Sequence, residues 1–81
     1  MSILMYTTPT CSYCRVAKAF FKEHNISFTE IDVSKDRKKA EEMIKKSNQY
    51  GVPVFDIDGK IIVGWDPEAV QEAINIKSIK R

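Results

Sequence analysis

The segment Ile3-Leu4-Met5-Tyr6-Thr7-Thr8-Pro9-Thr10-Cys11-Ser12-Tyr13-Cys14-Arg15-Val16-Ala17-Lys18-Ala19-Phe20-Phe21 decides the fold of this chain. Ile3 to Thr7 reads as a strand, built on the apolar run Ile3 to Tyr6. Thr7, Thr8 and Pro9 stop it, and a helix-like run follows from Val16 to Phe21. The chain's only two cysteines, Cys11 and Cys14, sit on the turn between strand and helix. A C-x-x-C in that context is the sequence form of a redox-active dithiol, whereas a zinc site usually needs two further ligands.

The spacing itself carries chemistry. Residues i and i+3 on a first helical turn have Cα atoms about 5 Å apart, and a disulfide spans roughly 4.4–6.8 Å. The pair can therefore open and close with little backbone movement. The two sulfurs are not equivalent. Cys11 is expected at the helix N-terminus, where unpaired N–H groups and the helix dipole favour an anion and lower a thiol pKa below the free value of ~8.5. Cys14, one turn further in, is expected to be more buried and to keep its proton longer. Arg15 either assists the thiolate or is a solvated surface cation; its position fits both.

Outward from this segment, the first helix is expected over about Cys11–His24, with Asn25 as its stop. Phe28–Val33 alternates apolar and polar residues and reads as a strand. Ser34 or Asp36 caps a second helix running to about Asn48, with Ala40, Met43, Ile44 and Ser47 on one face. Glu41–Lys45 and Glu42–Lys46 are i,i+4 pairs, and that charged face reads as solvated surface. Val52–Ile57 and Lys60–Val63 flank Asp58-Gly59, a type I′ hairpin signal. Asp66-Pro67 is an N-cap followed by Pro at the first helical position, with Val70, Ala73 and Ile74 facing inward. Lys77–Arg81 reads as a frayed basic tail. The order is β-α-β-α-β-β-α, an α/β chain in which three helices flank a four-stranded mixed sheet. A right-handed crossover makes the first two strands parallel.

Composition agrees. With 81 residues, 43% hydrophobic and 30% charged, the chain reads as a single domain over 1–81 with one modest core. Lysines and arginines are interleaved with glutamates, so the net charge of +2 gives no basic stripe for nucleic acid. No apolar stretch approaches the roughly 20 residues that cross a bilayer, and no signal peptide is evident. We therefore expect a cytoplasmic protein with no membrane or nucleic-acid partner. In that reducing compartment a lone cysteine pair points to catalysis or metal binding rather than to a structural staple.

Pro53 is the second mark. A Val-Pro step opening a central strand removes a ladder donor. It makes sense if the Val52–Pro53 bond is cis and the bend faces the cysteines, leaving the Val52 backbone free to pair with an extended substrate.

Thr8-Pro9-Thr10-Cys11-Ser12-Tyr13-Cys14, Gly51-Val52-Pro53-Val54-Phe55 and Gly64-Trp65-Asp66 together resemble a dithiol glutaredoxin, in particular the short glutaredoxin-like proteins of bacteria and archaea. The resemblance covers nearly the whole chain in the right order. It implies a thioredoxin-like fold with Cys11 as nucleophile, Cys14 as resolving thiol and Pro53 cis. It also implies glutathione as co-substrate, with no bound cofactor or metal required. Tyr13 would wall the glutathione groove, Val52 and Pro53 would present the pairing edge, and Gly64, Trp65 and Asp66 would hold the γ-glutamyl end. Gln49 would help bind the glycine carboxylate. The implied partners are disulfide-containing proteins and glutathione, acting on a monomer.

The chain departs from the family pattern at several positions. Ser12 stands where Pro is common, Thr8 and Tyr50 where basic residues are common, and Pro67 where a carboxylate is usual. Asp66 has a sufficient structural task as an N-cap, and Trp65 fits either the core or the groove. These departures keep two alternatives open. One is a redoxin that donates electrons, for example to ribonucleotide reductase, and is recharged by a thioredoxin-reductase-type flavoprotein. The other is a dimeric iron–sulfur carrier in which Cys11 and glutathione ligate the cluster.

Overall fold

The computed structural model describes the backbone of residues 2–78 and side chains as far as residue 74. It contains β1 (Ile3–Thr7), α1 (Ser12–Glu23), β2 (Thr29–Asp32), α2 (Arg37–Ser47), β3 (Val54–Ile57), β4 (Lys60–Val63) and α3 (Pro67–Ser78). The strands form one sheet in the order β2-β1-β3-β4, with β1 and β2 parallel and the other neighbours antiparallel. This is the expected thioredoxin-like architecture. The side chains of the basic tail expected over Lys77–Arg81 lie outside the described residues.

The two-residue period of the strands sorts the core into two layers. Ile3, Met5, Phe55, Ile57 and Ile62 pack on one face with Cys14, Ala17 and Phe21 of α1 and Val70, Ala73 and Ile74 of α3. Tyr6 and Val54 face the other way and meet Met43 of α2, with Leu4, Ile31, Ile44 and Ile61 around them. Local signals set the boundaries. Asn25 takes a left-handed conformation (φ 56°), and its N–H reaches the Lys22 carbonyl while that of Ile26 reaches Phe21, a Schellman stop for α1. Asp36, not Ser34, caps α2, accepting the Lys39 N–H at 3.2 Å. Asp58 and Gly59 both have positive φ (51° and 95°), as a type I′ hairpin requires.

Two expectations are corrected. β3 begins at Val54, so Val52 and Pro53 form a bend ahead of the strand rather than its first residues. The charged face of α2 is not uniformly solvated. The fully buried Tyr6 hydroxyl donates to Glu42 and accepts from Lys46 at 2.8 Å, and Lys46 also meets Asp56 of β3 at 2.7 Å. A tyrosine on an inward strand position needs a partner for its hydroxyl, and Asp56 in an otherwise apolar strand needs a cation. Lys46 answers both from one helix. Glu41 and Lys45 are exposed and form no ion pair with each other among the described residues.

Protonation follows from these contacts. Burial raises the pKa of the Tyr6 hydroxyl, and Glu42 adds to the rise. Burial alone would lower that of Lys46, but bonds to Asp56 and Tyr6 more than reverse this, and it stands above its ordinary value. The Tyr6 hydrogen bond lowers that of Glu42. Tyr6 and Lys46 thus hold protons more tightly folded than unfolded. Their contribution is complete below about pH 10 and is lost as pH rises further; that of Glu42 is present above about pH 4.3 and is lost as pH falls. Urea unfolding across pH should therefore show a plateau at neutral pH with loss on both sides. Tyr6→Phe should cost about 1–3 kcal/mol at pH 7 and flatten the alkaline limb. An unaltered alkaline limb in that variant would contradict the assignment.

Candidate active site

Three loops meet at one end of the sheet. β1 runs out at Thr7, directly before the Thr8–Cys11 turn. Val54 lies opposite Tyr6 and Val63 opposite Val54, so Pro53 and Gly64 emerge level with the end of β1. The Gly64 N–H closes this end by donating to the Pro53 carbonyl at 2.8 Å. The Val52–Pro53 bond is cis, as the sequence led us to expect, and Pro53 is fully buried. Among the described residues no hydrogen bond joins the Val52 backbone N–H or carbonyl to the protein.

Cys11 and Cys14 are joined in a disulfide with Cα atoms 5.2 Å apart, close to the spacing expected for a first helical turn. Cys11 is the N-cap of α1, with extended backbone, and its sulfur accepts the Cys14 N–H at 3.1 Å. A sulfur in that place substitutes for the Ser, Thr or Asp oxygen that usually satisfies an orphan donor of the first turn. Cys11 is half-buried, whereas Cys14 is 1% exposed and lies within the core between α1 and the sheet. The pair is thus polarised, with one cysteine partly open to water and one sealed behind it. Arg15 is exposed, and its side chain makes no hydrogen bond or ion pair among the described residues.

The other residues singled out from the sequence divide. Tyr13 is 65% exposed beside the disulfide, and Val52 is half-buried against both core layers. Trp65 is half-buried, with its ring against Phe20 and Phe55 at centroid distances of 5.5 and 5.9 Å, which ties it to the core. Asp66 caps α3 by accepting the Ala69 N–H at 3.1 Å. Gln49 is occupied locally. Its Oε1 accepts the Gly51 N–H at 2.7 Å, and its Nε2 donates to the Gly51 carbonyl and to Ser47 Oγ. It therefore braces the loop that delivers Val52 and Pro53. Tyr50, which stands where a basic residue is common in the family, is 82% exposed in that same loop; nothing in its neighbours distinguishes an outward tyrosine from an inward one. Among the described residues no group of three or more His, Cys, Asp or Glu side chains is placed to hold a metal ion, and no helix is long and apolar enough to cross a membrane.

A C-x-x-C at the N-terminus of a helix, beside a cis-proline on a four-stranded mixed sheet, defines a thiol–disulfide oxidoreductase of the thioredoxin-fold class. The glutaredoxin family model matches residues 3–62, and the chain belongs to the glutaredoxin family. It is 44% identical over 72 residues to a glutaredoxin-like 8.6 kDa protein in the rubredoxin operon of Clostridium pasteurianum, covering 89% of this chain and 96% of that one. It is 40% identical over 65 residues to glutaredoxin 3 of Escherichia coli K12, covering 80% and 78%. Among solved structures it is similar to the glutaredoxin grx-1 of Archaeoglobus fulgidus, with a TM-score of 0.83 and 29% identity over 90% of this chain and 85% of that one.

Asp66 offers a clean test of its structural task. Asp66→Ala should lower stability by about 1 kcal/mol in urea unfolding, while Asp66→Asn, which keeps the capping oxygen, should stay within a few tenths of the parent. Equal loss in both variants would show that charge, not capping, is what α3 needs.

Proposed function

We propose that this glutaredoxin reduces protein disulfides and glutathione mixed disulfides, with Cys11 as nucleophile and Cys14 as resolving thiol. The observation that carries the reading is the polarised pair, a half-buried Cys11 on the N-cap and a fully buried Cys14 three residues on. In the reduced protein the helix N-terminus favours Cys11 as thiolate. That thiolate attacks one sulfur of the target, forming the Cys11–target bond and breaking the target disulfide; the departing thiolate takes up a proton. Cys14 then loses its proton and attacks the Cys11 sulfur, releasing the second target thiol and leaving the Cys11–Cys14 disulfide. Two electrons pass from the pair to the target, and of the two protons the target thiols gain, one comes from Cys14 and one from solvent.

The oxidised pair is recharged by two glutathione thiols, which leave as glutathione disulfide, or by a dithiol delivered from a flavoprotein reductase. For glutathione, Tyr13 supplies a wall and the unpaired Val52 backbone supplies the edge beside Pro53 for the tripeptide to pair with. Gly64, Trp65 and Asp66 border the γ-glutamyl end. Gln49 can reach a carboxylate only by giving up a bond to Gly51 or Ser47. We place the activity in the cytoplasm, in a monomer of one domain.

Turnover assays on the two cysteine variants test the division of labour. Cys11→Ser should reduce neither substrate above background. Cys14→Ser should keep glutathione mixed-disulfide reduction, which needs only one protein thiol, while protein-disulfide reduction falls sharply. Complete loss of both activities in both variants would rule out the split.

A further inference from the structure

Two hollows lie at the opposite end of the sheet from the disulfide. One, of ≈ 630 Å³, is lined by Lys18, Ala19 and Lys22 of α1 and by Ile26, Ser27 and Phe28 ahead of β2. The other, of ≈ 320 Å³, takes in Ser2, Ile3 and Thr29, with Ser27 and Phe28 lining both. Ile3 and Thr29 are the first residues of the parallel strands β1 and β2, whereas the cysteines follow the last residue of β1. Through their shared residues the hollows adjoin as one trough across the start of β2, an edge strand of the sheet. Its floor is apolar. Ile26 and Phe28 are only half-buried, and Phe28 packs on Phe21 with ring centroids 5.0 Å apart while still lining both hollows.

The charge over this floor has one sign. Among the described residues no acidic side chain lines either hollow, and the charged ones that do are Lys18 and Lys22. Glu30 answers Lys18 at 2.9 Å, but the Lys22 side chain makes no hydrogen bond or ion pair among the described residues. The helix dipole favours a lysine in the last turn of α1. It gives no reason for two half-buried apolar side chains left open beside that lysine. A cleft with an apolar floor and a few placed charges is the usual form of a binding site. We infer that the trough docks an acidic segment of a partner protein, with one large apolar side chain on Ile26 and Phe28 and a carboxylate on Lys22. Its extent from α1 across the start of β2 suits a length of chain rather than a compact molecule. A partner held here leaves the cysteine pair uncovered, so a disulfide on that partner meets the pair at a raised local concentration.

A short capped peptide with Phe and Leu set among Glu residues, and no cysteine, tests this. It is titrated into the nitrogen-15-labelled oxidised protein and followed by amide chemical shifts. Saturable changes are expected at Lys18–Lys22 and Ile26–Thr29, and none at Cys11 or Cys14. Ser in place of the peptide's Phe and Leu should weaken binding about tenfold or more, the scale of burying one large apolar side chain. Lys22→Glu should weaken it about fivefold, the scale of one exposed ion pair. Lys22 is exposed, and unchanged amide shifts away from the trough report that the variant is folded. Because binding to the oxidised protein is what is read, the result does not depend on which cysteine attacks a substrate. No saturable change, changes centred on the cysteines, or equal binding of the same peptide with Lys in place of Glu would overturn the docking site. So would an affinity that either the Ser peptide or Lys22→Glu leaves unchanged.

Discussion

Tyr6 lies opposite Val54 where β1 pairs antiparallel with β3, and both side chains are sealed from water. That one register brings together segments more than forty residues apart in the sequence. It puts the exit of β1, and therefore Cys11, level with the cis Val52–Pro53 bend. It also sets the faces of the sheet. Met5 and Phe55 turn toward α1 and α3, while Tyr6 and Val54 turn toward α2. A slip of one residue would exchange those faces and expose the core, so the pairing is strongly specified. The Tyr6 hydroxyl then adds direction to the second face, because Lys46 and Glu42 can satisfy it only when α2 lies across the sheet in one place.

Within that frame the chemistry comes from a helix end. The first turn of any α-helix has backbone donors without partners. Here one of those donors, the Cys14 N–H, points at the Cys11 sulfur. The same contact that starts α1 thus bears on the sulfur proposed to attack the target. Cys14 ends that same first turn, where the apolar contacts of α1 with the sheet seal it. Asymmetry between two identical side chains follows from their positions on the first turn and from the packing of α1 on the sheet.

Much of this was legible in the sequence because the signals were local. The C-x-x-C between an apolar run and a helical one, Asp58-Gly59 and Asp66-Pro67 each specify a backbone conformation within a few residues. The cis bond at Pro53 was legible only in combination with the cysteines. What escaped was tertiary. Lys46 looks like half of an i,i+4 surface pair until α2 is laid across β1 and β3. Two hints were present, a tyrosine in an inward strand position and Asp56 within an apolar strand, both of which demand buried partners. Gln49 matches a family position implied to help bind a carboxylate, but the short Asn48–Gly51 loop uses both ends of its amide. The exposure of Tyr50 had no local signal, since strand and loop tyrosines look alike until the loop is placed.

The polarity of the cysteine pair is the claim on which the functional account stands, and selective alkylation tests it most directly. The reduced protein is treated with a limiting amount of iodoacetamide at pH 6.5, and the labelled cysteine is located by mass spectrometry of its peptides. The account predicts label on Cys11 with Cys14 protected, because the first cysteine is only half-buried at a helix N-terminus and the second is fully buried. Equal labelling, or label on Cys14 first, would contradict it.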